Sequence, residues 1–289
     1  VTFATPQQFK NQNSTISSLH LSELWIYPVK SLAGIRLTSA ELSDRGLRHD
    51  RRWMLTDKTG TFLTQRELPE LALIDVSLTS TGLEIQHRTR PFPALAVPFE
   101  PRSGEPVATA VFGSPVQTQR VADEANDWFS TLLARPLQLV FQPEASYRPI
   151  DPDYALRPGD RTSLADGYPF LLAGQSSLDD FNTYLDQPVP MNRFRPNLVV
   201  RGASAYDEDQ WSEFRVGDLT FFAVKPCARC AIPGIDQANA QRSPEVVRAL
   251  TTHRRRGTKT LFGQNLIATQ TSGTLRVGDA VEVISWRGE

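Results

Sequence analysis

Lys225-Pro226-Cys227-Ala228-Arg229-Cys230 contains the only two cysteines of a 289-residue chain, and the rest of the reading works outward from it. The apolar run before it, Leu219-Thr220-Phe221-Phe222-Ala223-Val224, has the content of a strand. The residues after it, Ala231-Ile232-Pro233-Gly234, read as a loop. The two thiols therefore stand where a strand ends, and several chemistries fit such a pair. Buried, they would be small inert hydrophobes. A structural zinc site takes four ligands, yet there is no second cysteine pair; His20, His49 and His87 lie far upstream and His253 stands alone. A thioredoxin-type pair belongs at a helix start, which Pro233-Gly234 does not resemble. A single thiolate at a strand end suits a redox metal, and Lys225 and Arg229 beside the pair would favour the thiolate form. Spacing alone leaves these readings open.

Composition narrows the class. A hydrophobic fraction of 40% with 22% charged residues describes a soluble globular protein long enough for one large domain or two ordinary ones. With 31 Lys and Arg against 32 Asp and Glu, the net charge of -1 predicts neither a nucleic-acid nor a membrane partner. No apolar run approaches the roughly 20 residues that span a bilayer. Residues 1–18 are polar, with none of the features of a signal peptide, and read as a flexible tail. Asn13-Ser14-Thr15 matches a glycosylation acceptor without a secretory context. Two cysteines this close staple no fold, and a reducing cytoplasm is the expected location.

The chain reads as mainly β with some α. Strands are expected at Leu24–Tyr27, Arg36–Leu42, Arg52–Thr56, Thr61–Thr64, Leu73–Leu78 and Leu83–His87, with a hairpin-like turn at Asp57-Lys58-Thr59-Gly60. Prolines 91, 93, 98, 101 and 106 mark a loop-rich stretch. A helix at about Asp123–Leu133 places Ala125, Trp128, Phe129, Leu132 and Leu133 on one apolar face, and Pro136 stops it. A strand returns over Leu137–Phe141. A second helix fits Ser177–Leu185 with Ser176 as its N-cap. Strands follow at Phe194–Val200 and Phe214–Val224, then a short helix from Ser243 or Pro244 through Leu250. Leu275–Val283 forms a strand, a turn and a strand. Short strands at close spacing suggest a barrel or sandwich.

Cations recur beside turn-prone backbone. Pro28-Val29-Lys30-Ser31 ends a strand with an ammonium, a hydroxyl and free amides. His49-Asp50-Arg51-Arg52-Trp53 opens another with two guanidiniums. In Asn192-Arg193-Phe194-Arg195-Pro196-Asn197, an extended backbone would put Arg193 and Arg195 on one face, where two guanidinium forks could converge on a phosphate. A solvated loop, or an arginine paired with a nearby carboxylate, is the plainer reading of each segment. His253-Arg254-Arg255-Arg256 reads as an exposed basic loop. Asp151-Pro152-Asp153 and Asp207-Glu208-Asp209 lack the spacing of a calcium loop, and Asp179-Asp180 reads as a solvated helix face.

Taken in order, Leu24-Trp25-Ile26-Tyr27-Pro28-Val29-Lys30-Ser31, Asp50-Arg51-Arg52-Trp53, Phe194-Arg195-Pro196-Asn197, Lys225-Pro226-Cys227-Ala228-Arg229-Cys230 and Leu261-Phe262-Gly263-Gln264-Asn265 resemble the MOSC-domain family. These are relatives of the C-terminal part of molybdenum cofactor sulfurase. Within the family the chain resembles the mitochondrial amidoxime-reducing components and their bacterial counterparts, over roughly Leu19 to Ile284. The resemblance implies an N-terminal β-barrel MOSC-N domain at 19–140 and a MOSC β-barrel domain at 141–289, with a cofactor cleft between them. It also implies a pyranopterin molybdenum cofactor whose metal is held by Cys230, the second cysteine of the Cys-x-Arg-Cys segment. Cys227 would then be a packing neighbour.

Lys30, Ser31, Arg51, Arg195 and Asn197 match positions that resemble the family's cofactor contacts, and Arg193 is added from spacing alone. Tyr168, in Asp166-Gly167-Tyr168-Pro169-Phe170, falls where the family lines its pocket and is bulkier than the small polar residue expected there. Pyridoxal phosphate binding attaches to the family at large and to no particular residue here. Some relatives append a ferredoxin domain that needs four further cysteines; with two, no iron-sulfur cluster is expected. The implied function is reduction of N-hydroxylated substrates (amidoximes, hydroxylamines, N-hydroxylated bases), with Cys230 as the catalytic metal ligand. Electrons would come from separate proteins, a ferredoxin or a cytochrome b5-like protein with a flavin reductase. A cofactor carrier or sulfur-transfer protein using Cys230, and a non-catalytic binding protein docking through Arg254–Arg256, are the alternatives.

Overall fold

The computed structural model describes residues 18–101 and 104–288. The tail expected at 1–18, with Asn13-Ser14-Thr15, lies outside the described residues apart from Ser18. The fold is mainly β with three α-helices among the described residues, Asp123–Leu132, Gln175–Asn182 and Pro244–His253. None of them is long and apolar enough to cross a membrane.

The largest sheet runs Val281–Trp286, Trp211–Val216, Leu219–Ala228, Lys259–Ala268, Phe170–Gly174, Leu198–Arg201, His20–Ile26 and Ile35–Leu37, with Arg255–Arg256 pairing to Lys259–Ala268. Its pairs are antiparallel except Phe170–Gly174 with Leu198–Arg201, which the helix Gln175–Asn182 connects. The sheet curls into a half-barrel, so that Leu21 N donates to Asp279 O at 2.9 Å and Val281 N to Leu19 O at 2.9 Å. Its concave face buries Leu24, Phe170, Leu198, Trp211, Phe221 and Leu266 in one apolar core. Burying each such side chain contributes about 1.5–3 kcal/mol.

A second core gathers Val29, Trp53, Leu71, Ile85, Trp128, Phe129 and Leu139. Around it lie the sheet Trp53–Thr56, Gln138–Phe141, Ser114–Arg120, Pro106–Val111 and the meander Ile74–Leu78, Gly82–His87, Leu95–Pro98. The helix Asp123–Leu132 forms where its periodicity predicts, burying Ala125, Trp128, Phe129 and Leu132. Asn126 fastens it to the neighbouring strand by accepting from Leu139 N at 2.8 Å. The chain leaves the first core at Ile26 and enters the second at Val29. Pro28-Val29-Lys30-Ser31 therefore crosses the seam between the cores. His20–Ile26 pairs with Leu198–Arg201 and Ser39–Ser43 with Thr274–Arg276, so early strands complete sheets with late ones.

Several expected elements take other shapes. Arg36–Leu42 is interrupted at Thr38, giving Ile35–Leu37 and Ser39–Ser43. Thr61–Thr64 contributes one bridge, Thr56 to Phe62, and no strand. The proline-marked stretch contains the strand Leu95–Pro98, at whose edge Pro98 is tolerated. The second helix begins two residues early, at Gln175. The Ser176 hydroxyl donates to Ala203 O and caps nothing, while the buried Glu208 carboxylate accepts from Gly174 N and Ser177 Oγ. The helix stops at Asn182, whose side chain bonds Val189 N and O and closes the following loop.

The basic run at 253–256 is not one exposed loop. Arg254 is buried and ion-paired with Asp209, and His253 stacks on Tyr184 with ring centroids 3.7 Å apart. His253, at the end of the helix, is exposed as expected, and so are Arg255 and Arg256, on a short strand.

Candidate functional site

The strand Leu219–Ala228 explains how the cysteines are presented. Leu219, Phe221 and Ala223 are buried in strict alternation, and the alternation then fails from Lys225 onward. Its pairing with Lys259–Ala268 slips between Ala223 and Lys225 and again between Pro226 and Ala228. Such bulges accommodate Pro226 and turn side chains away from the regular pleat. On the partner strand Gly263 has φ +78°, and a Cβ there would stand 2.4 Å from Leu172 O, so only glycine permits this approach. Both cysteines thereby reach the wall of one pocket.

That pocket brings together Lys30, Ser31, Arg51, Arg195, Asn197, Tyr168 and Cys230, all expected from the sequence. Arg193 is absent from its wall. Met191–Arg193 is a 3-10 turn and Arg195 has φ +55°, so the segment is not extended and the two arginines do not share a face. Arg193 is instead ion-paired with Asp236 at 2.8 Å. Thr64, Arg66, Asp166, Arg229, Asn265 and Cys227 also line the pocket. Of these, Asp166, Arg229, Asn265 and Cys227 sit inside motifs visible in the sequence; Thr64, expected in a strand, lies in a loop that also delivers Arg66, which carries no signal.

Each cation is held by a different device. Lys30 is buried, donates to Leu164 O at 2.9 Å, and is ion-paired with Asp166. The Asp166 side chain is largely exposed, and the Lys30 ammonium, with Arg51 and Arg66 beyond it, holds its carboxyl down at about 2. Arg51 bonds the fully buried Asp50 at 2.7 Å, and also Asn197 Oδ1 and Arg195 O, each at 3.1 Å. The Asn197 amide is fully engaged, since its Oδ1 also accepts from Leu171 N and its Nδ2 donates to Trp25 O. Asn197 thus orients Arg51 and ties the strand His20–Ile26 to the pocket floor.

Arg51 and Arg195 both place Cζ 4.2 Å from the centroid of the Tyr27 ring. Gly34 makes room for that ring, because a Cβ there would lie 2.4 Å from Tyr27 Cε1. Burial pushes the Arg195 guanidinium down to about 10, still protonated at neutral pH.

The two thiols differ. Arg229 Nη1 donates to Cys227 Sγ at 3.0 Å, and its Nη2 donates to Phe194 O at 2.7 Å. Among the described residues nothing hydrogen-bonds Cys230. Lys225, expected to favour the thiolates, lies instead with its ammonium 3.9 Å from the Tyr154 ring centroid. Ser31 at φ +72°, Arg51 at φ +48° and Arg195 at φ +55° all line the pocket in the left-handed region, where non-glycine residues are rare. Strain of this kind gathers at functional sites.

These residues fit an anionic, metal-bearing cofactor. Arg66, Arg195 and Arg229 have no carboxylate within ion-pair distance among the described residues, and the buried Arg229 Nε has no partner. No group of three or more His, Cys, Asp or Glu side chains converges among the described residues. A metal at Cys230 would therefore take its remaining ligands from the cofactor itself, and a thiolate is a suitably soft donor.

Comparison with known proteins gives two family matches in order, the MOSC N-terminal beta barrel domain over residues 18–136 and the MOSC domain over residues 159–282. Human mitochondrial amidoxime-reducing component 1 is 31% identical over 281 residues, covering 91% of this chain and 82% of that protein. Molybdenum cofactor sulfurase of Oryza sativa subsp. japonica is 33% identical over 273 residues, covering 88% of this chain and 33% of that protein. The chain thus spans about a third of the sulfurase's length. Among solved structures, the YUAD protein from Bacillus subtilis shows a weak likeness, with TM-score 0.44 and 11% identity over 92% of this chain and 95% of that one. With both domains matched in order and relatives at this identity over nearly the whole chain, the protein belongs to the MOSC-domain family and is related to the mitochondrial amidoxime-reducing components.

Proposed function

We propose that this chain binds a pyranopterin molybdenum cofactor through Cys230 and reduces N-hydroxylated compounds, amidoximes among them, to the corresponding amines or amidines in the cytoplasm. The observation that carries the reading is the Cys230 thiol, without a hydrogen bond, in a pocket where three guanidiniums lack a carboxylate partner among the described residues. Cations without counter-charge, the buried Arg195 above all, favour an anionic ligand, and guanidinium forks suit a phosphate. Bound there, the molybdenum would supply the oxygen-accepting redox chemistry.

The protein's own side chains would do the rest. Arg195 and Arg51, steadied by Tyr27 and Asp50, would hold the cofactor's phosphate end. Ser31, presented by its left-handed backbone, and Asn265 would offer polar contacts to the pterin. Tyr168 narrows the approach to Cys230, restricting which substrates can present an N–O bond. Opening that bond and releasing water consumes two electrons and two protons. Asp166, ionised down to about pH 2, is not an acid at neutral pH, so the protons enter from solvent. The electrons would be delivered by a separate ferredoxin or cytochrome b5-like protein with a flavin reductase.

The identity to the sulfurase favours a second reading, in which Cys230 carries cofactor or sulfur onward without turnover. Metal and pterin analysis of chain purified from a cofactor-competent host separates the two. Near-stoichiometric molybdenum, abolished by Cys230→Ser and kept by Cys227→Ser, with turnover of an amidoxime, is the expected result. Labile, substoichiometric molybdenum without turnover under any electron donor would favour the carrier, and folded protein free of molybdenum would exclude both.

A further inference from the structure

Strands Pro106–Val111 and Ser114–Arg120 pair antiparallel with Val111 opposite Ser114, which leaves Phe112 and Gly113 as a two-residue turn. Their φ angles are +49° and +82°, the pattern of a type I′ hairpin turn. Asn, Asp or Gly normally takes the first of these positions, because other side chains are strained there. Phenylalanine is therefore a poor choice for the turn. Nor does the core require it, since the ring is 53% exposed while its neighbour Val111 is fully buried.

The ring stands instead against the pocket. Its centroid is 5.1 Å from Arg66 Cζ and 5.7 Å from Lys30 Nζ, and both cations line the pocket wall. Phe62 meets it edge-on, with centroids 5.2 Å apart and planes at 79°, which fixes the ring's tilt. With Arg66 and Lys30 over the ring and Phe62 packed edge-on against it, the half of Phe112 that remains exposed is a platform for a flat ligand.

We propose that Phe112 is a specificity-determining residue at the pocket rim, and that the preferred substrates carry a planar aromatic or heteroaromatic group that stacks on it. The N-hydroxyl end of such a substrate would enter the pocket while its ring stays at the rim on the open part of Phe112, beside Arg66. This rests on the reductase reading above and adds the shape of the substrate to it.

The test is calorimetric titration of the molybdenum-loaded protein, without any electron donor, using benzamidoxime and acetamidoxime. The two share the reacting group and differ in the ring. Phe112→Asn puts a favoured residue into the turn, so its thermal midpoint should equal or exceed the wild type's. The wild type should bind benzamidoxime more tightly, and Phe112→Asn should reduce that preference about five- to tenfold while leaving acetamidoxime binding unchanged. Phe112→Leu, apolar but without a ring face, should reduce it less. A preference unchanged in Phe112→Asn, or equal losses for both compounds, overturns the inference and leaves the reductase reading standing. Wild-type protein that binds neither amidoxime overturns the reductase reading and this inference with it.

Discussion

Two clusters of arginine in this chain are buried to a similar degree and neutralised in opposite ways. Around Arg45 every charge is answered. Its side chain is 1% exposed and bonds Asp44, Glu144 and the carbonyls of Pro143, Glu144 and Ser146. Beside it Arg52 reaches Glu144 at 2.7 Å and Arg161 reaches Asp44 at 2.5 Å. Around the pocket, Arg195 finds only Gln237 Oε1 at 3.5 Å and the Tyr27 ring. Burial of a cation therefore does not mark a site; burial without an answering charge does. Removing an unpaired ion from water costs several kcal/mol that its surroundings leave uncompensated until an anion arrives.

The most severe way to break this comparison is at the satisfied cluster. Arg45→Met removes the guanidinium that bonds the carbonyls of Pro143, Glu144 and Ser146, leaving those three acceptors stranded, while Asp44 and Glu144 keep Arg161 and Arg52. The expected loss is about 3 kcal/mol, read as a lower urea midpoint at constant slope, with molybdenum per folded molecule unchanged. A loss below about 0.5 kcal/mol would show that this cluster is no better compensated than a solvated surface one.

In the sequence the two clusters look alike, and that sets how much could be read there. The thiol, the Lys30-Ser31 corner, Arg51, Arg195 and Asn197 were legible because ordered motifs resemble a family, and all of them reach one pocket. The helix at 123–132 was legible because a single apolar stripe with Pro136 behind it admits one reading. Arg193 was misplaced because alternation along the chain implies a shared face only when the backbone is extended, and a left-handed Arg195 breaks that premise. Arg254 was misread as exposed because its partner Asp209 is 45 residues away in a 3-10 turn. Arg66 carried no signal, since a loop between paired segments has no period to betray it. Pairing that brings distant residues together is the information local pattern lacks.

A smaller effect sharpens the contrast through pH. His49 stacks on Phe99 with centroids 4.1 Å apart, close to the satisfied cluster. Burial first, then the charges of Arg48 and Arg52, push its imidazole from 6.5 down to about 4. The folded protein then binds fewer protons there than the unfolded chain between pH 6.5 and 4. His49 therefore contributes stability that is fully present above pH 6.5 and is lost as the pH falls through about 4. The ring is only part-buried, so the contribution is about 1–2 kcal/mol. His49→Asn, which tolerates the φ of +67° at this position, should flatten the stability curve across that window. The pocket's Arg195, protonated up to about pH 10, should add nothing to it. A curve for His49→Asn that parallels the wild type's would mean that the imidazole is as free in the folded protein as in the unfolded chain.

The smallest effect is the most telling, because its sign differs from that at Arg45. Arg195→Met removes a buried charge that lacks a carboxylate, keeps most of the stem that packs on Tyr27, and strands only Gln237 Oε1, which already accepts from Gln65 Nε2 at 3.1 Å. Protein free of cofactor should therefore become no less stable, and by relief of desolvation more stable by about 1 kcal/mol. The same substitution should abolish stabilisation by an anion. Inorganic phosphate at about ten times its dissociation constant should add about 1.4 kcal/mol to the wild type and nothing measurable to Arg195→Met. Thermal unfolding with and without phosphate reads both effects at once. Arg195→Met that destabilises as strongly as Arg45→Met, with phosphate stabilisation intact, would mean that Arg195 is compensated within the protein after all. The distinction between the two clusters would then vanish, and with it the physical ground for placing an anionic cofactor beside Cys230.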